Sequence, residues 1–284
     1  MAPSSPTVAS WELSLRLRER RIELGVDVAT ITARLGFTRN YWSAVENERR
    51  SLTEEKLDLL LDLLEYDDAE RAELFELRER SRGRGWWTAY SALYGEELQR
   101  FHGLEHGAQS IRSYEGIIPG LLQTPEYTRA LLEAGVSMRP VEIDQRVEVR
   151  MRRQQRLTGP DPLHLTVVLG QAALLQQVGG REVLRAQLRH LAGMMRAHPD
   201  TVQIRVLPFT ARACSLLGAS TFHLIDFASA RLPTLAWQEA ITVRRILERP
   251  DQVRDVVFSW SDARRLALSA EESVRMVEGY AEEL

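Results

Sequence analysis

The segment that most constrains this chain is Arg20 to Arg50, RRIELGVDVATITARLGFTRNYWSAVENERR, where two short apolar-periodic stretches flank a single glycine. The spacing predicts a helix from Asp27 to Arg34, a tight turn at Gly36 and another helix from Thr38 to about Asn47. Ala29, Ile31 and Leu35 fall on the inward face before the turn, and Trp42 and Val45 after it. Upstream, Trp11 to Leu24 reads as a helix with Leu13, Leu17 and Leu24 inward and Gly25 as its stop. Downstream, Ser51 with Glu54 has capping-box spacing and opens a leucine-rich helix through Leu64. Asp67 with Glu70 repeats the device and starts a helix carrying Leu74, Phe75 and Leu77. Residues 11–80 are thus expected to form an all-α domain of five helices.

The stretch RSRGRG, Arg80 to Gly85, is charged and aperiodic, so residues 81–85 read as a linker. Trp86, Trp87, Tyr90 and Tyr94 then announce a second core. Leu163 to Leu169, Val202 to Phe209 and Phe222 to Phe227 are rich in β-branched or aromatic residues and read as strands. Arg181 to Ala197 reads as a helix. Thr124-Pro125 sets an N-cap and first helical position for a helix closed by Gly135, and Ser269 with Glu272 caps a terminal helix to about Glu283. Residues 86–284 are therefore expected to be an α+β domain. With 44% hydrophobic and 27% charged residues the composition is globular. No apolar run is long enough to span a membrane, Met1 to Ser10 lacks the pattern of a targeting segment, and Cys214 is the only cysteine. The expectation is a cytoplasmic protein with no membrane association.

The charge balance narrows the function. A net charge of −3 excludes a protein that coats nucleic acid with its whole surface, yet Trp11 to Arg50 holds eight arginines against six acids. A glycine-bearing turn between two short helices, apolar residues where they cross and polar side chains at the start of the second are the requirements of a helix-turn-helix. Thr38 can cap the second helix while Arg39 and Asn40 project from its first turn. Arginine suits guanine O6 and N7, asparagine suits adenine N6 and N7, and the methyl of Ala44 suits thymine. Thr38, Arg39, Asn40 and Ala44 are the candidate base readers; Asn47, Arg49 and Arg50 are the candidate phosphate contacts.

Those residues resemble the Cro and phage-repressor type of helix-turn-helix, the xenobiotic-response-element family. Arg21, Ile22, Leu24 and Gly25 match the end of that family's first helix, and Val45-Glu46-Asn47 the close of its recognition helix. The resemblance implies a buried pair between Arg21 and Glu46 and a phosphate contact near Asn47. The chain departs from the family at Val28, where a glutamine is common, and at Ala44. A net charge near +2 over 11–50 predicts modest, salt-sensitive affinity and binding to double-stranded DNA as a homodimer.

The second domain also carries a resemblance. Tyr114-Glu115-Gly116-Ile117-Ile118-Pro119-Gly120-Leu121-Leu122-Gln123-Thr124-Pro125-Glu126-Tyr127, with Arg129 to Leu132, Arg150 to Gln154, Val206 to Phe209 and Leu266 to Ser273 in order, is similar to an actinobacterial domain of uncharacterised function found behind such helix-turn-helices. The resemblance implies an antitoxin-like regulator of the Streptomyces type, partnered by a small separate protein. Ala211 to Leu217 departs from the glycine- and histidine-bearing loop of that family. Tyr114, Glu115, Trp237 and Glu239 are candidates to line a pocket for a polar ligand or partner. His102 and His106 have the spacing of two ligands on one helix face, but with no third ligand no metal or other cofactor is expected. No HExxH, GxSxG or phosphate loop occurs, so no enzymatic activity is expected. Two readings stand: a sequence-specific transcription regulator whose second domain dimerises and senses a signal or partner, and an antitoxin-like protein that sequesters a small partner, with DNA binding secondary.

Overall fold

A computed structural model describes residues 2–136, 138–212, 216 and 219–284. Cys214 and most of the loop 211–217 lie outside the described residues. The chain divides into two compact units, 3–88 and 89–284.

The first unit is helical: α1 (Pro6–Glu23), α2 (Val28–Leu35), α3 (Arg39–Glu46), α4 (Glu54–Leu63) and α5 (Asp68–Ser81). α1 starts earlier than its apolar periodicity suggested, because Ser5 caps Val8 N–H at 3.4 Å and Pro6 takes the first turn. α4 is capped by Thr53, which accepts from Lys56 N–H at 3.3 Å, and not by Ser51. The cap falls on the hydroxyl directly ahead of the acidic first turn of Glu54 and Glu55, which the helix N-terminus favours. Gly36 closes α2 with φ +70, the left-handed conformation that makes glycine the fitting residue at this C-cap.

Ile31, Leu35, Trp42, Leu57, Leu60, Leu61, Leu64 and Leu74 are buried together as one core. Ala29 is exposed, a correction to its expected inward position: on α2 the stripe runs Val28, Ile31, Leu35 at helical spacing, and residue 29 lies off it. Polar groups pin the helix ends. Arg20 donates to the carbonyls of Leu64 and Glu65, each at 3.1 Å, and Tyr66 Oη donates to Arg16 O at 2.9 Å. The expected linker lies inside this unit. α5 runs to Ser81, and a Cβ on Gly85 would sit 2.2 Å from the buried Trp87 ring, so that glycine is a packing requirement. Trp86 and Trp87 therefore belong to the first unit, Tyr90 and Tyr94 to the second.

The second unit is built on a six-stranded mixed sheet in the order β3-β2-β1-β4-β5-β6. Its strands are β1 (Ser110–Glu115), β2 (His164–Gly170), β3 (Val202–Leu207), β4 (Thr221–Asp226), β5 (Leu235–Glu239) and β6 (Arg244–Leu247). β1, β2 and β3 are parallel neighbours, and β4 to β6 run antiparallel. The helices are α6 (Glu96–Gly107), α7 (Pro125–Glu133), α8 (Ile143–Gln154), α9 (Arg181–Ala197), α10 (Pro250–Leu266) and α11 (Ala270–Glu283). α10 covers one sheet face, packing Trp260 and Val253 with Tyr114, Val168, Phe222 and Leu224. Trp260 Nε1 donates to Ser113 O at 3.0 Å. On the opposite face α6 lays Phe101 flat on Trp237, ring centroids 4.6 Å apart. α11 is opened by a full capping box between Ser269 and Glu272.

Ile31→Ala removes a fully buried side chain from the helical core and is expected to cost about 2–5 kcal/mol in urea denaturation of the whole chain, whereas Ala29→Gln stays within about 0.5 kcal/mol.

Candidate functional site

Each unit presents one candidate site. In the first, α3 divides its surface in two. Trp42 and Val45 face the core, while Thr38, Arg39, Asn40 and Ser43 are exposed and Ala44 is half-buried. Thr38 spends its hydroxyl on the cap, accepting from Tyr41 N–H at 3.1 Å, while Arg39 and Asn40 are the exposed side chains that follow it, Arg39 close enough to Asp27 to add to the lowering of its pKa by the Thr30 N–H. The helix ends in a tight reversal: Glu48 takes φ 61, and the N–H groups of Arg49 and Arg50 both donate to Ala44 O, at 2.8 and 3.1 Å. This reversal brings the Arg50 guanidinium over the Tyr41 ring, 5.2 Å from its centroid, and Tyr41 in turn packs on Phe37 at 4.2 Å. Lys56 lies over Phe37 at 5.7 Å. Arg50 and the half-buried Lys56 therefore meet through the Tyr41 and Phe37 rings beside α3, with Arg49 next to them in sequence, and Lys56 is a member that the sequence reading missed. Its only signal was its uniqueness as the chain's lysine.

Asn47 turns its side-chain amide back on the helix, donating to Ser43 O at 2.7 Å and to Ser43 Oγ at 3.3 Å. Arg21 Nε donates to Glu46 Oε1 at 2.9 Å, a half-buried pair that ties the end of α1 to the end of α3. Val28 packs partly into the core, so its side chain serves the fold.

The second candidate site lies on the sheet face that carries Glu115, His223 and Glu239. A cavity of about 580 Å³ opens between this face, α6, α8 and the segment Ile117 to Gln123. Glu115 and Glu239 line it; Tyr114 and Trp237 do not. Tyr114 precedes Glu115 on β1 and so points to the opposite face, where it pairs with Phe222. Trp237 is fully buried beneath Phe101. Sequence reasoning missed the cationic wall. Arg146, Arg150 and Arg153 recur on α8 at three- and four-residue spacing, and all line the cavity.

The ionisable groups are tightly arranged. Glu105, 2% exposed, receives Arg153 through Nε and Nη2, both at 2.7 Å. Burial opposes its ionisation, but the guanidinium holds its pKa below the usual carboxylate range. His223 Nε2 lies 2.9 Å from Glu115 Oε1; burial works against its charged form, and the carboxylate overcomes that and raises its pKa. His102 is the opposite case. It sits edge-on to Tyr94 at 5.0 Å with Nδ1 unpartnered, and burial, followed by the charge of Arg153, lowers its pKa to about 3 despite the nearby Glu105. His102 is therefore a neutral, buried ring.

A histidine depressed in this way takes up its proton only on unfolding, so it withdraws stability as the pH falls below about 6.5 and until about 3. His102→Gln is expected to flatten the acid limb of the stability profile, with a difference from the wild type of about 2 kcal/mol developing between pH 7 and pH 5. The Glu115–His223 pair, which gains stability in the same direction of titration, is common to both proteins and cancels in the comparison.

Comparison with known proteins adds two findings. A family model described as a helix-turn-helix domain matches residues 12–74, and one described as a domain of unknown function, DUF5753, matches residues 98–279, more than half of the chain. No curated protein and no solved structure matches it.

Proposed function

The chain belongs to the DUF5753 family and joins that domain to a helix-turn-helix, and from this premise we propose that it is a sequence-specific, DNA-binding transcription regulator of the Cro and xenobiotic-response-element type. The observation that carries the reading is the division of α3. Its inner side chains are consumed by the core, while Arg39 and Asn40 stand exposed at the N-terminal end that a recognition helix presents to base edges. Arg49, Arg50 and Lys56 supply cations for the phosphates on either side. Val28 and Ala44 make the polar contact set small, which favours a homodimer reading two half-sites over a single unit. The second unit then has a binding role: it sets the assembly and receives a signal or a partner.

The small contact set also supports a second reading, in which an antitoxin-like protein mainly sequesters a small partner. Titration of the full chain with DNA from upstream of its own gene, over a salt series, separates the two. Arg39→Ala with Asn40→Ala is expected to lower specific affinity more than tenfold, since a bidentate base contact contributes about 1–3 kcal/mol. Arg49→Ala and Arg50→Ala are expected to weaken all sequences alike and to reduce the salt slope by about 1 for each charge removed. Equal binding of promoter and unrelated DNA by the folded wild type would leave the sequestering reading in place.

A further inference from the structure

Four arginines line the cavity of the second unit, and three of them have a carboxylate of their own. Arg146 holds Glu142 at 2.8 Å, Arg153 holds Glu105 at 2.7 Å and Arg244 holds Glu239 at 2.7 Å. The remaining wall carboxylate, Glu115, is taken by His223. Arg150 is the exception. Among the described residues its one hydrogen-bond partner is a neutral atom, Gln123 Oε1, at 2.5 Å. Gln123 is itself fixed there, because its Nε2 donates to Ile118 O at 2.7 Å and its Oε1 accepts from Thr128 Oγ1 at 3.1 Å.

A guanidinium offers five donors, and cations withdrawn from water are normally paired. Arg150 has most of its donors unspent and a like charge, Arg153, one helical turn away. Burial, reinforced by that charge, pushes its pKa down to about 10 against the opposing pull of Tyr94, Glu239 and Glu105. Beside polar lining from Ser220, Thr221 and His223, the half-buried Ile117, Leu131 and Met138 give the same cavity an apolar stretch. Its volume of about 580 Å³ falls in the range of small-molecule sites, roughly 300–1,000 Å³.

We propose that this cavity binds a small monocarboxylic acid with an apolar body, its carboxylate forked on Arg150 and its body against Ile117, Leu131 and Met138. One unpaired cation asks for one negative charge, and the planar fork of arginine matches a carboxylate. A phosphate monoester brings up to two charges and would face Glu115 and Glu239 across the cavity. The inference rests on the reading of the second unit as a receiver of signals and gives that signal a chemical class.

The test uses the full chain without DNA, titrated by calorimetry with octanoate, octyl phosphate, octanol and octylammonium. Octanoate is expected to bind at least tenfold more tightly than octanol, and octylammonium not at all. In Arg150→Met octanoate falls to the level of octanol, while the Tm of the ligand-free protein is unchanged or higher because an unpaired cation has been removed. Leu131→Trp, which fills the apolar end, is expected to weaken octanoate and octanol alike, and it carries the test should Arg150→Met not fold. Octanoate no better than octanol on the wild type overturns the proposal, as does a preference for octyl phosphate or an octanoate preference that survives in folded Arg150→Met. A second titration, with promoter DNA in the presence of saturating octanoate, stands apart from the first. Octanoate bound with no change in DNA affinity upholds the site and overturns its role as a signal, whereas failure of DNA binding leaves the calorimetry intact.

Discussion

The larger unit is organised around a carboxylate with no access to water. Glu105 sits on α6 at the level where that helix crosses the sheet, and its ionised form is tolerable only because Arg153 reaches from α8 to hold both oxygens. The pair ties α6 to α8, two helices that both line the cavity. From it the neighbouring assignments follow: His102, one turn earlier on α6, is held neutral by the same burial and the same guanidinium. Arg150, one turn earlier on α8, is left facing that cavity. Interior charge here sets geometry, a use of polar groups that an apolar core of equal volume would not provide.

The smaller unit uses its charges in the opposite manner. Its core is built from leucine, isoleucine and tryptophan; Arg16 and Arg78 are buried at its edge, while Arg20 and Arg50 lie nearer the surface, where one closes a helix end and the other stacks on a ring. Arg50 is held by Tyr41 through the face of an aromatic ring, which orders the side chain without neutralising it. Arg21 is spent instead on Glu46, a pair that joins the end of α1 to the end of α3.

Much of the smaller unit was legible in the residues, because caps and helical periodicity are local. Asp67 caps α5, and Gly36 ends α2 at a left-handed φ. The errors were local too: Ser51 and Thr53 both offer a hydroxyl ahead of Glu54, and spacing alone does not choose between them. In the larger unit, β2, β3 and β4 announce themselves through β-branched residues, whereas β1, β5 and β6 do not. β1 reads SIRSYE because both of its faces carry tertiary duties: Arg112 pairs with Asp226, and Glu115 pairs with His223. Tyr114 and Glu115 were grouped by adjacency, yet adjacency on a strand separates side chains to opposite faces. The role of the α8 arginines is not readable locally, because the buried partner of Arg153 is Glu105, about fifty positions earlier in the chain.

The order of the sheet also sets an order in time. β1 is flanked by β2 and β4, and its contact with Asp226 joins residues 116 positions apart, while ties of the helical unit, such as Arg16 to Glu73 over 57 positions, stay within residues 3–88. Distant pairings are slow to form, and β1 cannot be enclosed until β4 has been made. During synthesis, which proceeds from the N-terminus, α3 is therefore complete while the cavity still lacks its wall of His223 and Glu239. A ribosome-bound chain passes through an interval in which its helical unit is finished and its cavity is not yet enclosed.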